Sequence, residues 1–318
     1  MKQKTILFLL IVNFISSTYC YGKELNCYIC KTKITDEYVQ IENNKAHPLC
    51  FICGFCNNPI TSKYTFYEDK NYHESCYKNN ILSKCDVCLL PIEHKYFEDA
   101  WGNKYHSKHE SEGNFCNSCG RLISANITKG GFQFNDGRYI CTPCAATMTE
   151  TESSISSSRN FVIQQLSDKG FLDLPKDIKI LLVDQHQLSK KSGELHHTEL
   201  KGFTHIEIEY LNDIVVNINY TIYILFGLPK IEFEAVLSHE YLHIWIQDNA
   251  IQMHSSLVEG VCNLGSMIIY EYYDTQFSKI QLENMMQDPS PDYGKSYRIM
   301  KNRLSDLGWR KLINSILN

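Results

Sequence analysis

His239, Glu240 and His243 stand in the order H-E-x-x-H, a spacing that can hold a metal ion. On a helix, residues i and i+4 share one face, so both imidazoles can reach the same ion. Glu240 lies one step round the helix, placed to take a proton from a water that the ion acidifies. The chemistry of such a set is metal-assisted hydrolysis of a carbonyl compound. Two histidines leave a third ligand to be found, and Glu259, with fifteen residues between it and His243, is the candidate. Ser256 precedes it by three positions, so Glu259 could instead close a Ser-x-x-Glu capping box. A third histidine in the H-x-x-G-x-x-H arrangement is excluded, because Ile246 and Asn249 occupy those positions. Asn263, one turn past Glu259, falls on the same helical face and could accept from the outer nitrogen of His239 or His243. A developing oxyanion needs a further electrophile. Tyr293 is the candidate, with Tyr297 and Arg298 as alternatives.

A second set of ligand-type residues lies upstream. Of fourteen cysteines, all but Cys20 and Cys262 fall between Cys27 and Cys144. Cys27, Cys30, His47 and Cys50 form two close pairs joined by a loop, and Cys53, Cys56, His73 and Cys76 repeat the arrangement. Close pairs on tight turns deliver thiolate and imidazole donors two at a time, which suits tetrahedral zinc. This is the pattern of LIM fingers. A disulfide framework is the alternative, but it has no use for His47 and His73 at these spacings. A looser unit follows. Cys116, Cys119, Cys141 and Cys144 form one site, and Cys85, Cys88, His106 and His109 another, in which His94 or Glu110 could substitute. The expected metal content is zinc, one catalytic ion and about four structural ones. Fingers this small have little core, so the metal supplies much of their folding free energy.

These sites need a scaffold. Pro229 suits the first position of a helix that carries His239, and Ile231, Val236, Leu237, Ile244 and Trp245 give that helix an apolar face. Strands are expected at Ile178–Val183, Phe203–Tyr210, Ile214–Ile218 and Tyr220–Phe226, forming a small sheet just before it. Phe161, Val162 and Leu166 fit a short helix ending at Gly170. Serines dominate residues 148–160, which read as a linker. The N-terminus, with Lys2 and Lys4 before an apolar run from Ile6 to Ile15, reads as a secretory signal. That run is short for a membrane span. The organisation is therefore a signal peptide at 1–20, a LIM domain at 24–80, a second zinc unit at 82–147, the linker and a peptidase domain at 161–318. A secreted or periplasmic location follows from the signal. A net charge of −5 argues against nucleic acid as a partner.

The cysteine block, Ile224 to Pro229, the H-E-x-x-H segment, Val258 to Cys262 and Ser290 to Gly294 occur in one order. That order resembles the LIM-domain metallopeptidases known in plants as ubiquitin-activated growth regulators. The resemblance covers nearly everything after residue 24. It implies an α+β chain in which LIM fingers precede a zincin-like, gluzincin-type domain. His239, His243 and Glu259 would be ligands and Glu240 the base. The chain departs from the family in having the expected signal peptide where the plant proteins carry ubiquitin-interacting motifs before the LIM domain, in carrying one acidic residue before Gly260, and in closing the third finger with His109. The implied function is cleavage of protein or peptide substrates bound along the sheet edge, with the fingers recruiting a protein partner. The alternative is a LIM adaptor with an inactive peptidase-like domain, against which an intact Glu240 counts.

Overall fold

The computed structural model describes residues 9–10, 14–15, 25–193, 200–212 and 214–318. The architecture is mixed α and β, in two compact units, Met1–Glu112 and Gly113–Asn318. The zinc unit expected at 82–147 is therefore divided: its first finger lies in the first unit and its second finger in the other.

Three fingers make up the first unit. In each, a C-x-x-C turn is followed by an antiparallel hairpin that returns the chain to a histidine. The hairpins pair Tyr38–Ile41 with Asn44–Ala46, Tyr64–Tyr67 with Lys70–His73, and Tyr96–Glu98 with Lys104–His106. The buried apolar set of the first two fingers is small, centred on Val39, Phe51, Ile60 and Tyr64. Phe51 meets Tyr64 edge to face at 4.9 Å.

The expected signal peptide and secretion are corrected here. Leu9–Leu10 pairs antiparallel with Tyr64–Tyr67, and Phe14–Ile15 with Tyr38–Ile41, so part of the supposed leader adds strands to the first two fingers. The described cysteines are all free thiols, the chemistry of zinc fingers and not of a disulfide-bonded secreted module. The remaining residues of 1–20 lie outside the described residues. Among the described residues, no helix is long and apolar enough to cross a membrane.

The second unit opens with the fourth finger, whose hairpin pairs Gly131–Gln133 with Tyr139–Cys141. Its elements then run α1 (Glu152–Lys169), β1 (Lys179–Val183), α2 (Gln185–Ser192), β2 (Gly202–Leu211), β3 (Ile214–Leu225), α3 (Lys230–Asp248), α4 (Ser255–Tyr273), α5 (Gln276–Gln287), α6 (Ser296–Leu307) and α7 (Trp309–Leu317). The two strands expected between residues 214 and 226 are one long strand, β3. It forms the centre of the sheet, parallel to β1 and antiparallel to β2.

The serine-rich stretch is not a linker; it forms the first turns of α1. Thr151 and Ser154 cap the helix reciprocally. Ser157 returns its hydroxyl to the Ser153 carbonyl at 2.8 Å, and Ser158 donates to Glu234 Oε1 at 2.8 Å. Ile155, Ser158, Val162 and Leu166 lie on one buried stripe, so the helical period runs through the serines.

The fourth finger is bound to the loop that launches α3. The Arg138 guanidinium lies 4.9 Å from the Phe134 and Phe226 ring centres and donates to the Phe226 carbonyl at 2.9 Å. Asp136 contacts Arg138 at 2.8 Å and accepts from the Gln185 amide. Burial works against the Asp136 charge, but Arg138 and two backbone amides hold its carboxyl below the ordinary range. The backbone amides of Thr149 and Lys230 donate to Leu228 and Thr147 across the same junction. Gly227, at φ +78°, turns the chain where a Cβ would come within 2.5 Å of the Phe134 ring.

Arg138→Ala would leave Asp136 buried without its partner. The expected loss is about 3 kcal/mol, the scale for breaking a buried pair, read as a lower urea midpoint for the transition reported by Trp245 and Trp309.

Candidate metal centre

Helix α3 delivers His239 and His243 from the middle of a buried segment. Leu237, Tyr241, Leu242 and Ile244 are fully buried around them. Helix α4 brings the third group. Its cap is His254, whose ring accepts from the Ser256 amide, so Glu259 sits a turn inside the helix and does not close a capping box. The two helices cross closely at Gly265, where a Cβ would stand 2.8 Å from the Ser238 carbonyl. Ser266 donates to the Ala235 carbonyl at the same crossing.

That approach brings three donors together. His239 Nε2 and His243 Nε2 are 3.2 Å apart. Glu259 Oε2 lies 3.2 Å from His239 Nε2, and Oε1 lies 3.7 Å from His243 Nε2. Ligands at about 2.0–2.1 Å from a tetrahedral ion stand roughly 3.3–3.4 Å from one another. Glu259 Oε2 is buried and has no hydrogen-bond partner despite its closeness to His239. The residues therefore fit a zinc ion. Asn263 Oδ1 lies 3.1 Å from His239 Nδ1, which fixes that ring with Nε2 inward, and Asn263 Nδ2 donates to the Tyr293 carbonyl.

The electrostatics are those of a cation site. Burial pulls the His239 imidazole down, but Glu259 and Glu240 outweigh it and its pKa is raised. Burial and the neighbouring His239 push His243 down to about 4. Burial would raise Glu259, yet the two histidines hold it below its ordinary value. Burial lifts Glu240 to about 7. A metal ion bound at Nε2 needs that nitrogen free of its proton, so its binding competes with the protonation of His239 that Glu259 and Glu240 favour.

Sequence reasoning did not single out three neighbours. Thr204 on β2 donates to Glu240 Oε2 at 2.7 Å, and Gly202 leaves the space in which Glu240 Oε1 lies. Cys262 offers a sulfur within 4.8 Å of nitrogens on both histidines. Burial and the charges of Glu259 and Glu240 raise that thiol well above its ordinary pKa, and the Glu259 oxygens stand at 3.2 and 3.7 Å from His239 Nε2 and His243 Nε2, which favours the carboxylate as third ligand. The H-E-x-x-H spacing carries no information about a strand or a helix that arrives from elsewhere. Of the electrophile candidates, Arg298 is engaged by the Met286 and Asp288 carbonyls, and Tyr297 is buried in the core. Tyr293 lies on the turn Pro291–Lys295, partly exposed.

All four cysteine-rich clusters assemble with ligand spacing: Cys27, Cys30, His47 and Cys50; Cys53, Cys56, His73 and Cys76; Cys85, Cys88, His106 and His109; Cys116, Cys119, Cys141 and Cys144. In the first three, a histidine turns Nδ1 to a sulfur at 3.4–3.5 Å, between Cys30 and His47, Cys56 and His73, and Cys88 and His106. Its Nε2 faces the carbonyl of Lys33, Pro59 or Pro91 at 3.1–3.2 Å. This repeated contact sets the tautomer that a metal requires. The third cluster closes with His109, whose Nε2 is buried and has no hydrogen-bond partner, while His94 and Glu110 stay outside the cluster. In the fourth, Cys119 and Cys141 sulfurs stand 3.6 Å apart, and Arg121 Nε donates to Cys119. These clusters are compatible with zinc.

Comparisons with known proteins agree with this layout. The LIM domain model matches residues 27–81, and the DA1-like model, described as Protein DA1, matches residues 215–276. The second match encloses both histidines, Glu240, Glu259 and Asn263. The chain is 25% identical to Protein DA1 of Arabidopsis thaliana, over 93% of its own length and 65% of the relative's. It is 24% identical to Protein DA1-related 7 of the same plant, over 85% and 59%, and 28% identical to LIM domain-containing protein HDR3 of Oryza sativa subsp. japonica, over 77% and 56%. The chain thus spans about three fifths of the length of these curated relatives. It carries a LIM domain and a DA1-like region and is homologous to these plant proteins. The LIM match also agrees with correcting the expected signal peptide and secretion.

Glu259→Ala should remove the zinc bound between α3 and α4, whereas Cys262→Ser should retain it, as elemental analysis per chain will show. Zinc uptake there should release a proton and strengthen as pH rises through the raised His239 pKa. Titration calorimetry in buffers of differing ionisation heat measures both.

Proposed function

We propose that the chain is a zinc-dependent peptidase acting on protein or peptide substrates. The observation that carries this reading is the convergence of His239 Nε2, His243 Nε2 and the Glu259 carboxylate within 3.2–3.7 Å, with Glu240 next to them in the H-E-x-x-H order. By this reading the domain from α1 onward is zincin-like, of gluzincin type. His239, His243 and Glu259 would hold a zinc ion, which would supply Lewis-acid chemistry to the scissile carbonyl and the attacking water.

The chain's own groups do the rest. Burial holds Glu240 near a pKa of about 7, suited to accepting a proton and returning it near neutral pH. Its carboxylate takes the proton from the attacking water and passes it to the leaving amine nitrogen. Asn263 holds the His239 ring in place. Strand β2 is the sheet edge beside α3, and an extended peptide aligns along it by strand addition. Tyr293, on the turn packed against α4, is the candidate to steady the oxyanion. The fingers serve as a surface for a protein partner, as LIM domains do.

Glu240→Gln should keep its zinc, because Glu240 is not a ligand, and lose about 10²–10⁴-fold in kcat. A fluorogenic peptide library, assayed beside zinc analysis, tests this. Undiminished cleavage by the variant removes Glu240 from the mechanism, and cleavage that survives chelation removes the zinc.

A further inference from the structure

Glu240 is the residue of the H-E-x-x-H segment that the metal does not hold, so something else must aim it. A glutamate has three side-chain torsions, and hydrogen bonds to its oxygens select among their rotamers. Both oxygens of Glu240 lie against β2. The Thr204 hydroxyl is 2.7 Å from Oε2 and 3.2 Å from the main-chain oxygen of the same residue. Gly202, two residues earlier and therefore on the same face of the strand, packs its bare Cα against the other oxygen. A Cβ there would stand 2.5 Å from Oε1 and 2.6 Å from Val236 Cγ1. Neither residue is a potential ligand, and neither belongs to the H-E-x-x-H segment.

We propose that Thr204 is a positioning residue for Glu240, with Gly202 leaving the room that lets the carboxylate lie on the strand. The assignment rests on the peptidase reading. The hydroxyl makes a charge-assisted hydrogen bond to the ionised carboxylate, stronger than one between neutral groups. It fixes one oxygen on β2 and so sets the direction of the other. Because β2 is the edge strand, the same backbone that would register a bound peptide also seats the base. Substrate and base then take their positions from one strand, and a shift of β2 moves both together. That coupling is useful because proton transfer tolerates little misplacement, and about 1 Å can cost a hundredfold.

The test uses the zinc-loaded full chain and two variants. Thr204→Val keeps the shape and removes the donor; Thr204→Ser keeps the donor and trims a methyl. Thr204→Val should lower kcat about ten- to a hundredfold while KM and zinc per chain stay at wild-type values, and Thr204→Ser should recover most of the rate. Crystal structures should show the Glu240 carboxylate displaced from β2 in the valine variant and seated in the serine variant. A wild-type kcat in Thr204→Val overturns the proposal. So does a serine variant as slow as the valine one, or a Glu240 carboxylate that has not moved. Should the wild-type chain cleave no peptide, the peptidase reading falls by itself, and the crystal structures still decide whether Thr204 seats Glu240.

Discussion

The close crossing of α3 and α4 is the constraint on which the site depends. Gly265 lets α4 approach the Ser238 carbonyl, one residue before His239, and Ser266 ties the helices with a hydrogen bond to Ala235. Only at that separation can a carboxylate on α4 come within about one ligand edge of two imidazoles on α3. Burial then does two things. It makes uncompensated charge costly, and it strengthens the attraction between Glu259 and whatever cation stands beside it. The raised His239 and lowered Glu259 pKa values express that mutual attraction.

A second layer holds the first. Asn263 on α4 fixes His239, the Tyr293 carbonyl accepts from Asn263, and Gly260 lets α4 approach the Ser296 carbonyl, where a Cβ would stand 2.6 Å away. Glu234 and Glu232 are buried on α3; Ser158 and Tyr273 donate to the first, and Lys201 donates to one oxygen of the second. Helix α3 is thus anchored on several sides by polar contacts as well as apolar packing.

The fingers show how one local chemistry can serve two settings. Three of them form a unit whose small core leaves metal to supply the stability. The fourth keeps the cysteine chemistry but carries, on its hairpin, Phe134, Asp136 and Arg138, which join it to Phe226 and to the start of α2. Its chain continues directly into backbone hydrogen bonds with Leu228 and Lys230, so it belongs structurally to the domain that follows.

Spacing alone marked out the cysteine–histidine clusters and the histidine pair. C-x-x-C turns, the recurrent histidines and the i, i+4 histidine pair are local geometry, and local geometry is legible in sequence. Asn263 was legible for the same reason, as the next turn on a helical face. Composition misled where packing decided. Serines that read as a linker became α1, because Ile155, Val162 and Leu166 buried a stripe and the hydroxyls found carbonyls or Glu234. The apolar N-terminal run read as a leader, yet part of it pairs with two finger hairpins. Whether Glu259 capped a helix or faced the histidines was undecided until α4 was seen to start at Ser255. Thr204 and Gly202 carried no signal at all, and Cys262 stood out only as a cysteine beyond the finger block. Their places beside Glu240 and the histidines come from a strand and a helix far away in the chain. Only tertiary folding brings such segments together, because no local period links residues so far apart.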